Sequence, residues 1–278
     1  MDSYGKLLEV EGEKVYVTRG IYDYFDKNNF LRLLKAYDEA KRNGAKLYVG
    51  LYGNDLMEKS GRVRKLKDKV TDRDRVSLVE AIDLVDGAFV IKNFDKDDII
   101  SALSYRVLQK RNENEVNSEK PVKKYEIGYA SGAFSNLHKG HVEHLKEMKK
   151  QCKTTIVAAN SDNLIQNYKH KISSVDEETR RLILSHIKYV DMAIITDEYD
   201  KLKALDVVKG LCGKHFNAIF VGSDWKGDPK WKDFEQSLKK MGIDVVFTDR
   251  PQNGISTTAI DKSKRQVNIQ GNLSHGNR

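Results

Sequence analysis

The chain has 278 residues, 39% hydrophobic and 32% charged, enough apolar material for about two domains of ordinary size. Mean hydropathy is −0.61, no apolar run approaches the roughly 18 residues of a membrane span, and Met1-Asp2-Ser3-Tyr4 has no basic-then-apolar leader pattern, so no membrane insertion and a cytoplasmic location are expected. Cys152 and Cys212 are too few for a metal cluster or a disulfide framework, and the net charge of +8 suits an anionic partner, nucleic acid or a phosphorylated small molecule.

In chain order, Val15-Tyr16-Val17-Thr18-Arg19-Gly20 is a β-prone run that ends at glycine. Phe30, Leu33, Leu34 and Tyr37 then recur at helical spacing. Lys46-Leu47-Tyr48-Val49-Gly50-Leu51 reads as a strand with a polar turn, Asn54-Asp55, behind it. A second helical pattern, Arg75 to Asp86, leads into the strand Gly87-Ala88-Phe89-Val90-Ile91. This succession runs out near Ser104. The polar stretch from Gln109 to Lys124 reads as a linker.

The same succession then starts again. Ile127 to Gly132 is a β-prone run ending at glycine. Val142, Leu145 and Met148 mark a helix, and Thr154 to Ala159 a strand that ends at Ser161-Asp162. Arg180 to Asp191 parallels Arg75 to Asp86, and Met192-Ala193-Ile194-Ile195 parallels Gly87 to Ile91. Agreement in order and spacing over this length indicates an internal repeat. Strands alternating with helices predict parallel sheets with right-handed crossovers. The second copy continues through Ala218 to Gly222, a helix around Trp231 to Lys240, Asp244 to Phe247, and Gly254-Ile255-Ser256-Thr257-Thr258. The expected organisation is a first domain over 1–108, a linker over 109–124, a second domain over 125–262 and a disordered tail over 263–278.

Ligands of open parallel sheets bind beyond the carboxyl ends of the strands, at helix N-termini. In the second copy that place holds Gly132-Ala133-Phe134-Ser135-Asn136-Leu137-His138-Lys139-Gly140-His141. Gly132 and Gly140 allow close approach of a phosphate to the backbone, and imidazoles can donate to charge building on phosphate oxygens. Lys169 and Lys171 stand in a polar loop and either reach phosphates or are solvated. Arg180 opens a helix and either forks onto a phosphate or pairs with Asp176 or Glu177. Asp224 and Trp225 follow a strand on the same sheet edge: the acid could take a base, a sugar hydroxyl or Mg²⁺, while the ring could simply fill core. Ser256, Thr257 and Thr258 form either an anion nest or an ordinary helix cap.

With these motifs in this order, the segment from Tyr125 to Lys262 resembles the cytidylyltransferase family of the larger His-x-Gly-His nucleotidyltransferase superfamily, most of all its glycerol-3-phosphate members. Lys14 to Lys96 resembles a degraded second copy. The resemblance implies an α/β protein of two Rossmann-like parallel-sheet units in tandem, the first truncated and degenerate. It implies that CTP and a phosphorylated alcohol, glycerol 3-phosphate favoured, give a CDP-alcohol and pyrophosphate, with Mg²⁺ accompanying CTP and no metal site in the protein. It assigns His138 and His141 to the α-phosphate, Lys169 and Lys171 to substrate phosphates, and Arg180, Ser256, Thr257 and Thr258 to the β- and γ-phosphates. Gly132, Ala133, Phe134, Gly140, Asp224 and Trp225 would shape the nucleotide or acceptor site, with Arg250 as the late arginine. A pseudo-dimer of the two halves, and possible homodimerisation, follow from the region around Arg75, Val85 and Asp86.

The chain departs from the family at Ser135, where an aspartate is usual, and at Pro251, where the late arginine normally stands one residue beyond Arg250. In the first copy Asp26 and Asn29 occupy the two histidine positions, so that copy is expected to be catalytically dead. Competing readings are a phosphocholine or phosphoethanolamine cytidylyltransferase, an adenylyltransferase of the same superfamily, a nucleotide-binding pseudoenzyme regulator, and a nucleic-acid-binding protein. The last has only the +8 charge behind it, and no nucleic acid partner is expected.

Overall fold

The first element of the computed structural model, which describes residues 5–61, 66, 70–115, 122–170, 172–249 and 260 without the side chains at 114, 115, 169 and 230, is a hairpin absent from the sequence reading. Strand β1 (Lys6–Val10) pairs antiparallel with β2 (Glu13–Gly20). The two-residue turn is Glu11-Gly12 with φ of 51° and 71°, the left-handed pair that matches the twist of a hairpin. The chain divides into two units, Met1–Asn117 with Asn253–Arg278, and Ser118–Gln252.

The first unit is a four-stranded sheet in the order β1-β2-β3-β4, with β3 (Lys46–Tyr52) and β4 (Gly87–Ile91) parallel to β2. Helix α1 (Lys27–Arg42) buries Phe30, Leu33, Ala36 and Ala40. Short α2 (Asn54–Lys59) and α3 (Asp72–Glu80) join β3 to β4. Helix α4 (Lys96–Glu115) puts Ile99, Leu103 and Val107 onto the core made by Val10, Val15, Val17, Tyr48, Phe89 and Ile91. The expected linker therefore begins inside a helix. Arg106 and Arg111 hold that polar half in place, the first on Glu80 (2.6 Å) and the second on Glu13 (2.7 Å). Ile260, expected in the second domain, is buried instead against Leu66 and Val70 of the first unit. The tail over 263–278 lies outside the described residues.

The second unit is a five-stranded, all-parallel sheet in the order β7-β6-β5-β8-β9: β5 (Tyr125–Gly132), β6 (Cys152–Asn160), β7 (Met192–Thr196), β8 (Ala218–Gly222) and β9 (Asp244–Thr248). This is the expected α/β class. Helix α5 (Lys139–Gln151) runs straight into β6, whose first residue Cys152 is also the helix cap. It covers one face with Val142, Leu145 and Met148. Gly128 faces it: a Cβ there would lie 2.4 Å from the Cys152 sulfur and 3.3 Å from the Met148 methyl, so only glycine lets helix and sheet meet. α8 (Lys203–Cys212) and α9 (Pro229–Lys240) pack on the other face, where Ala204, Leu205, Val208, Trp231 and Leu238 meet Ile127, Tyr129, Ile156 and Ile219. α6 (Asp162–Lys169) and α7 (Glu177–Ser185) link β6 to β7. Among the described residues no helix is long and apolar enough to cross a membrane.

The two units repeat several local devices. Each runs strand-helix-strand-helix-helix-strand from β2 and from β5. The residue two beyond the terminal glycine is left-handed in both, Tyr22 at φ 53° and Phe134 at φ 48°. Asp86 donates its N–H to the Leu47 carbonyl (2.9 Å) and its carboxylate accepts from Leu47 N–H (2.8 Å). Asp191 makes the same pair with Thr155, at 3.1 and 2.8 Å. Its carboxylate also takes the Thr155 hydroxyl and Lys149. Burial pushes the Asp191 carboxyl up, but Lys149 and the Thr155 hydrogen bonds outweigh burial and hold it below the usual carboxylate range. A carboxylate depressed by folding stabilises above its unfolded pKa of about 3.9, and that stabilisation is lost as pH falls through the folded value. Asp191→Asn is therefore expected to lower Tm at neutral pH, with the gap to wild type closing below about pH 4. Thermal unfolding at a series of pH values checks this, and a gap that widens in acid would contradict it.

Candidate active site

The strand order reverses between β5 and β8, and a crevice opens beyond the carboxyl ends of strands at such a point. Both connectors that flank it carry predicted site residues. Gly132 and Gly222 each lie three residues past the paired Tyr129 and Ile219, so the loop from Ala133 and the 3-10 turn Ser223–Trp225 leave the same edge.

The β5 loop is shaped by packing. The Phe134 ring lies over Gly132, where a Cβ would sit 3.1 Å from Cε2. The left-handed Phe134 backbone turns the chain there. Ser135 and Asn136 are buried, and the Ser135 hydroxyl accepts from the Ser173 hydroxyl at 3.1 Å. A hydroxyl pair thus fills the position where the resemblance expects a carboxylate.

His138 is buried and caps α5: its Nδ1 accepts the Gly140 N–H at 3.2 Å. That bond assigns the proton of the neutral ring to Nε2. His141 stacks on it with centroids 3.9 Å apart and planes 30° from parallel, and Phe134 lies 5.1 Å from His141 on a tilted plane. Two imidazoles, a helix N-terminus with its partial positive charge and a glycine-bordered loop are therefore gathered at one point. Gly132, Ala133, Phe134, Gly140, His138 and His141 lie together at this point.

Arg180 stands elsewhere than expected. It is fully buried, and its guanidinium points inward rather than toward a phosphate. Nε donates to the Val175 carbonyl (3.0 Å), and Nη1 to the carbonyls of Ala133 (2.7 Å) and Asn160 (2.5 Å). Nη2 donates to Asp162 Oδ1 (2.5 Å). Four of the five N–H donors of an arginine thus tie the β5 loop, the end of β6 and the entries to α6 and α7 into one piece. In the first unit Arg75 does the same with the Ile21 carbonyl (3.0 Å), Asn54 Oδ1 (3.0 Å) and Asp72 Oδ1 (2.5 Å). The role expected of Arg180 on the β- and γ-phosphates gives way to that of a clamp, because backbone carbonyls surround it.

Asp224 is exposed at the edge, while Trp225 is half-buried beside Trp231, with ring centroids 6.4 Å apart. Lys169 ends α6, and its side chain lies outside the described residues, as do Lys171, Arg250, Ser256, Thr257 and Thr258. Among the described residues no group of three His, Cys, Asp or Glu side chains gathers to hold a metal ion.

Sequence reasoning passed over Lys201 and the aromatic residues beside it. Lys201 lies in the connector after β7, two strands away from β5, yet its Nζ donates to Ser131 Oγ at 2.8 Å and the side chain is buried. Its ammonium stands 5.5 Å from the Tyr199 ring centre. Tyr199 stacks on Tyr168 at 4.0 Å and meets Phe234 edge-on at 6.3 Å. The one available signal was the run Asp197-Glu198-Tyr199-Asp200-Lys201, an aromatic set among charges right after a strand.

The chain belongs to the cytidylyltransferase-like family of nucleotidyltransferases, whose model matches residues 129–263. It is 34% identical over 116 residues to the FAD synthase of Thermoplasma volcanium, across 42% of this chain and 75% of that one. It is 32% identical over 133 residues to the glycerol-3-phosphate cytidylyltransferase of Staphylococcus aureus, across 46% of this chain and 87% of that one. Among solved structures, the lipopolysaccharide core biosynthesis protein of Thermoplasma volcanium matches at 31% identity and a TM-score of 0.38, across 46% of this chain and 97% of that one.

Proposed function

We propose that the second unit transfers CMP from CTP to a small phosphorylated alcohol, with glycerol 3-phosphate the favoured acceptor, and releases pyrophosphate. The observation that carries this reading is the stacked His138–His141 pair at the N-terminus of α5, beside a glycine-bordered loop at the sheet's switch point. A phosphate monoester is largely dianionic at neutral pH, since its second pKa is about 6. Its oxygen therefore needs no base. It attacks the α-phosphorus, the bond to the bridging oxygen breaks, and both electrons of that bond leave with pyrophosphate. Charge crowds on the non-bridging oxygens as this happens. A donor held there in advance, Nε2–H of His138, and the partial positive charge of the helix N-terminus stabilise that state more than the ground state. Mg²⁺ enters as part of the substrate, MgCTP, because magnesium is commonly held by phosphate oxygens and water. Lys169, Lys171, Arg250, Ser256, Thr257 and Thr258 are proposed to hold the remaining phosphates, and Asp224 and Trp225 to border the base or acceptor.

An adenylyl donor is the second reading, favoured by the FAD synthases among the relatives. The first unit is proposed to be catalytically silent. The carboxylate of Asp26 caps α1 where an imidazole caps α5, and a carboxylate repels a triphosphate. Antiparallel β1 also flanks β2 where parallel β8 flanks β5. Pyrophosphate release, with CTP or ATP against glycerol 3-phosphate, phosphocholine and FMN, tests the reading. Release with CTP and glycerol 3-phosphate supports it, release with ATP alone moves it to the second reading, and nucleotide binding without any release removes both.

A further inference from the structure

The sheet face that α5 covers runs on to the far edge of the unit. Gly128 faces α5 and pairs with Ala218, which pairs with Asp244. Side chains alternate along a strand, so Gly222 on β8 and its partner Thr248 on β9 lie on that same face. Thr248 is the last residue of β9 and is buried. His144, half-buried on α5 and three residues past His141, reaches across to it: Nδ1 stands 2.5 Å from Thr248 Oγ1. That hydroxyl also bonds the Val221 carbonyl on β8 at 3.3 Å. A carbonyl only accepts, and a hydroxyl has one proton. Thr248 therefore donates to Val221, and the His144 Nδ1–H donates to Thr248.

Three elements meet in these two bonds. Helix α5 carries the imidazoles at its start. Val221 precedes Gly222 and the turn with Asp224 and Trp225. Thr248 stands two residues before Arg250 and eight before Ser256. β9 is an edge strand that pairs with β8 alone, so the ladder holds its exit from one side and His144 holds it from the face. Resting on the nucleotidyl-transfer reading, we infer that His144 is a positioning residue: through Thr248 it docks the exit of β9 onto the helix of the imidazoles, and the segment proposed to hold the terminal phosphates starts from a fixed point. His144 touches no substrate in this role. A site that is held in its competent state only part of the time binds more weakly by that fraction. The latch therefore acts on affinity for the terminal phosphates, while the α-phosphate stays with His138 and His141.

Calorimetric titration of MgCTP and of CMP into the full chain, with MgATP and AMP alongside, separates this role from a merely structural one. His144→Phe keeps a planar ring and removes the donor, and Thr248→Val keeps the shape and removes the hydroxyl. Each is expected to weaken the triphosphate roughly three- to tenfold, the size of one neutral hydrogen bond, with the monophosphate within about twofold of wild type. The double variant should be no worse than the single ones, because both delete the same bond. His144→Asn, whose amide can donate from near the place of Nδ1, should recover most of the loss. Equal weakening of triphosphate and monophosphate, unchanged triphosphate binding, or additive losses in the double variant each overturn the inference. Failure of the transfer reading shows separately: a wild-type chain that binds the triphosphate but releases no pyrophosphate loses that reading, and His144 is still decided by the same titrations. A wild-type chain that binds no nucleotide overturns both.

Discussion

Replacing His138 by Asn is expected to abolish pyrophosphate release while leaving the protein folded. Asparagine is among the best helix N-caps, so it can accept the Gly140 N–H that His138 Nδ1 now takes at 3.2 Å. The α5 N-terminus loses nothing structural. What goes is the Nε2–H and the ring that stacks on His141. Removing one preorganised donor to developing charge costs about 10²–10³ in kcat, and the freed His141 ring adds to that. His138→Ala combines the chemical loss with about 1 kcal/mol from the missing cap. Comparing Tm and kcat for the two variants separates these effects. A His138→Asn protein that turned over at more than about a tenth of the wild-type rate would remove the imidazole from the reaction.

Arg180→Met is the second large effect, and it acts on stability first. The substitution leaves the carbonyls of Val175, Ala133 and Asn160 without their donor inside the protein. Asp162 is half-exposed and can turn to water. Three stranded acceptors at about 1–3 kcal/mol each imply a loss of about 3–9 kcal/mol, the lower part of which overlaps the roughly 3–5 kcal/mol lost when one partner of a buried ion pair is deleted. Arg180→Lys should recover little, because one ammonium cannot span carbonyls that a planar fork reaches. Urea denaturation followed by tryptophan fluorescence reads the second unit, which holds both tryptophans, Trp225 and Trp231. A destabilisation below about 1 kcal/mol would mean that the clamp is incidental.

Most strands and the helices on which the site depends were legible because their periods are clean. Phe30, Leu33 and Val142, Leu145, Met148 mark one buried stripe each. The His138–His141 pair was legible because it follows a strand and a glycine, a setting with few alternatives. The direction of Arg180 was not. A basic residue in the first turn of a helix looks alike whether it faces a ligand or three backbone carbonyls, and those carbonyls are 5, 20 and 47 residues away in sequence. Lys201 escaped for the same reason: it is an ordinary lysine in a charged loop until that loop crosses the neighbouring strand. β1 escaped because Leu7-Leu8-Glu9-Val10 does not alternate. The polar end of α4 read as linker because it carries almost no apolar periodicity, and the acids that anchor it to the unit, Glu80 and Glu13, are distant in sequence.

The seamless junction between α5 and β6 ties the position of the imidazoles to a residue count. Thirteen residues, Lys139–Gln151, separate the cap from the first strand position. One inserted residue there would either rotate the start of the helix by about 100° or turn every β6 side chain onto the opposite face. Loop engineering, affinity tags and fluorescent reporters therefore belong in other connections of the second unit, while this seam tolerates substitution but no change of length.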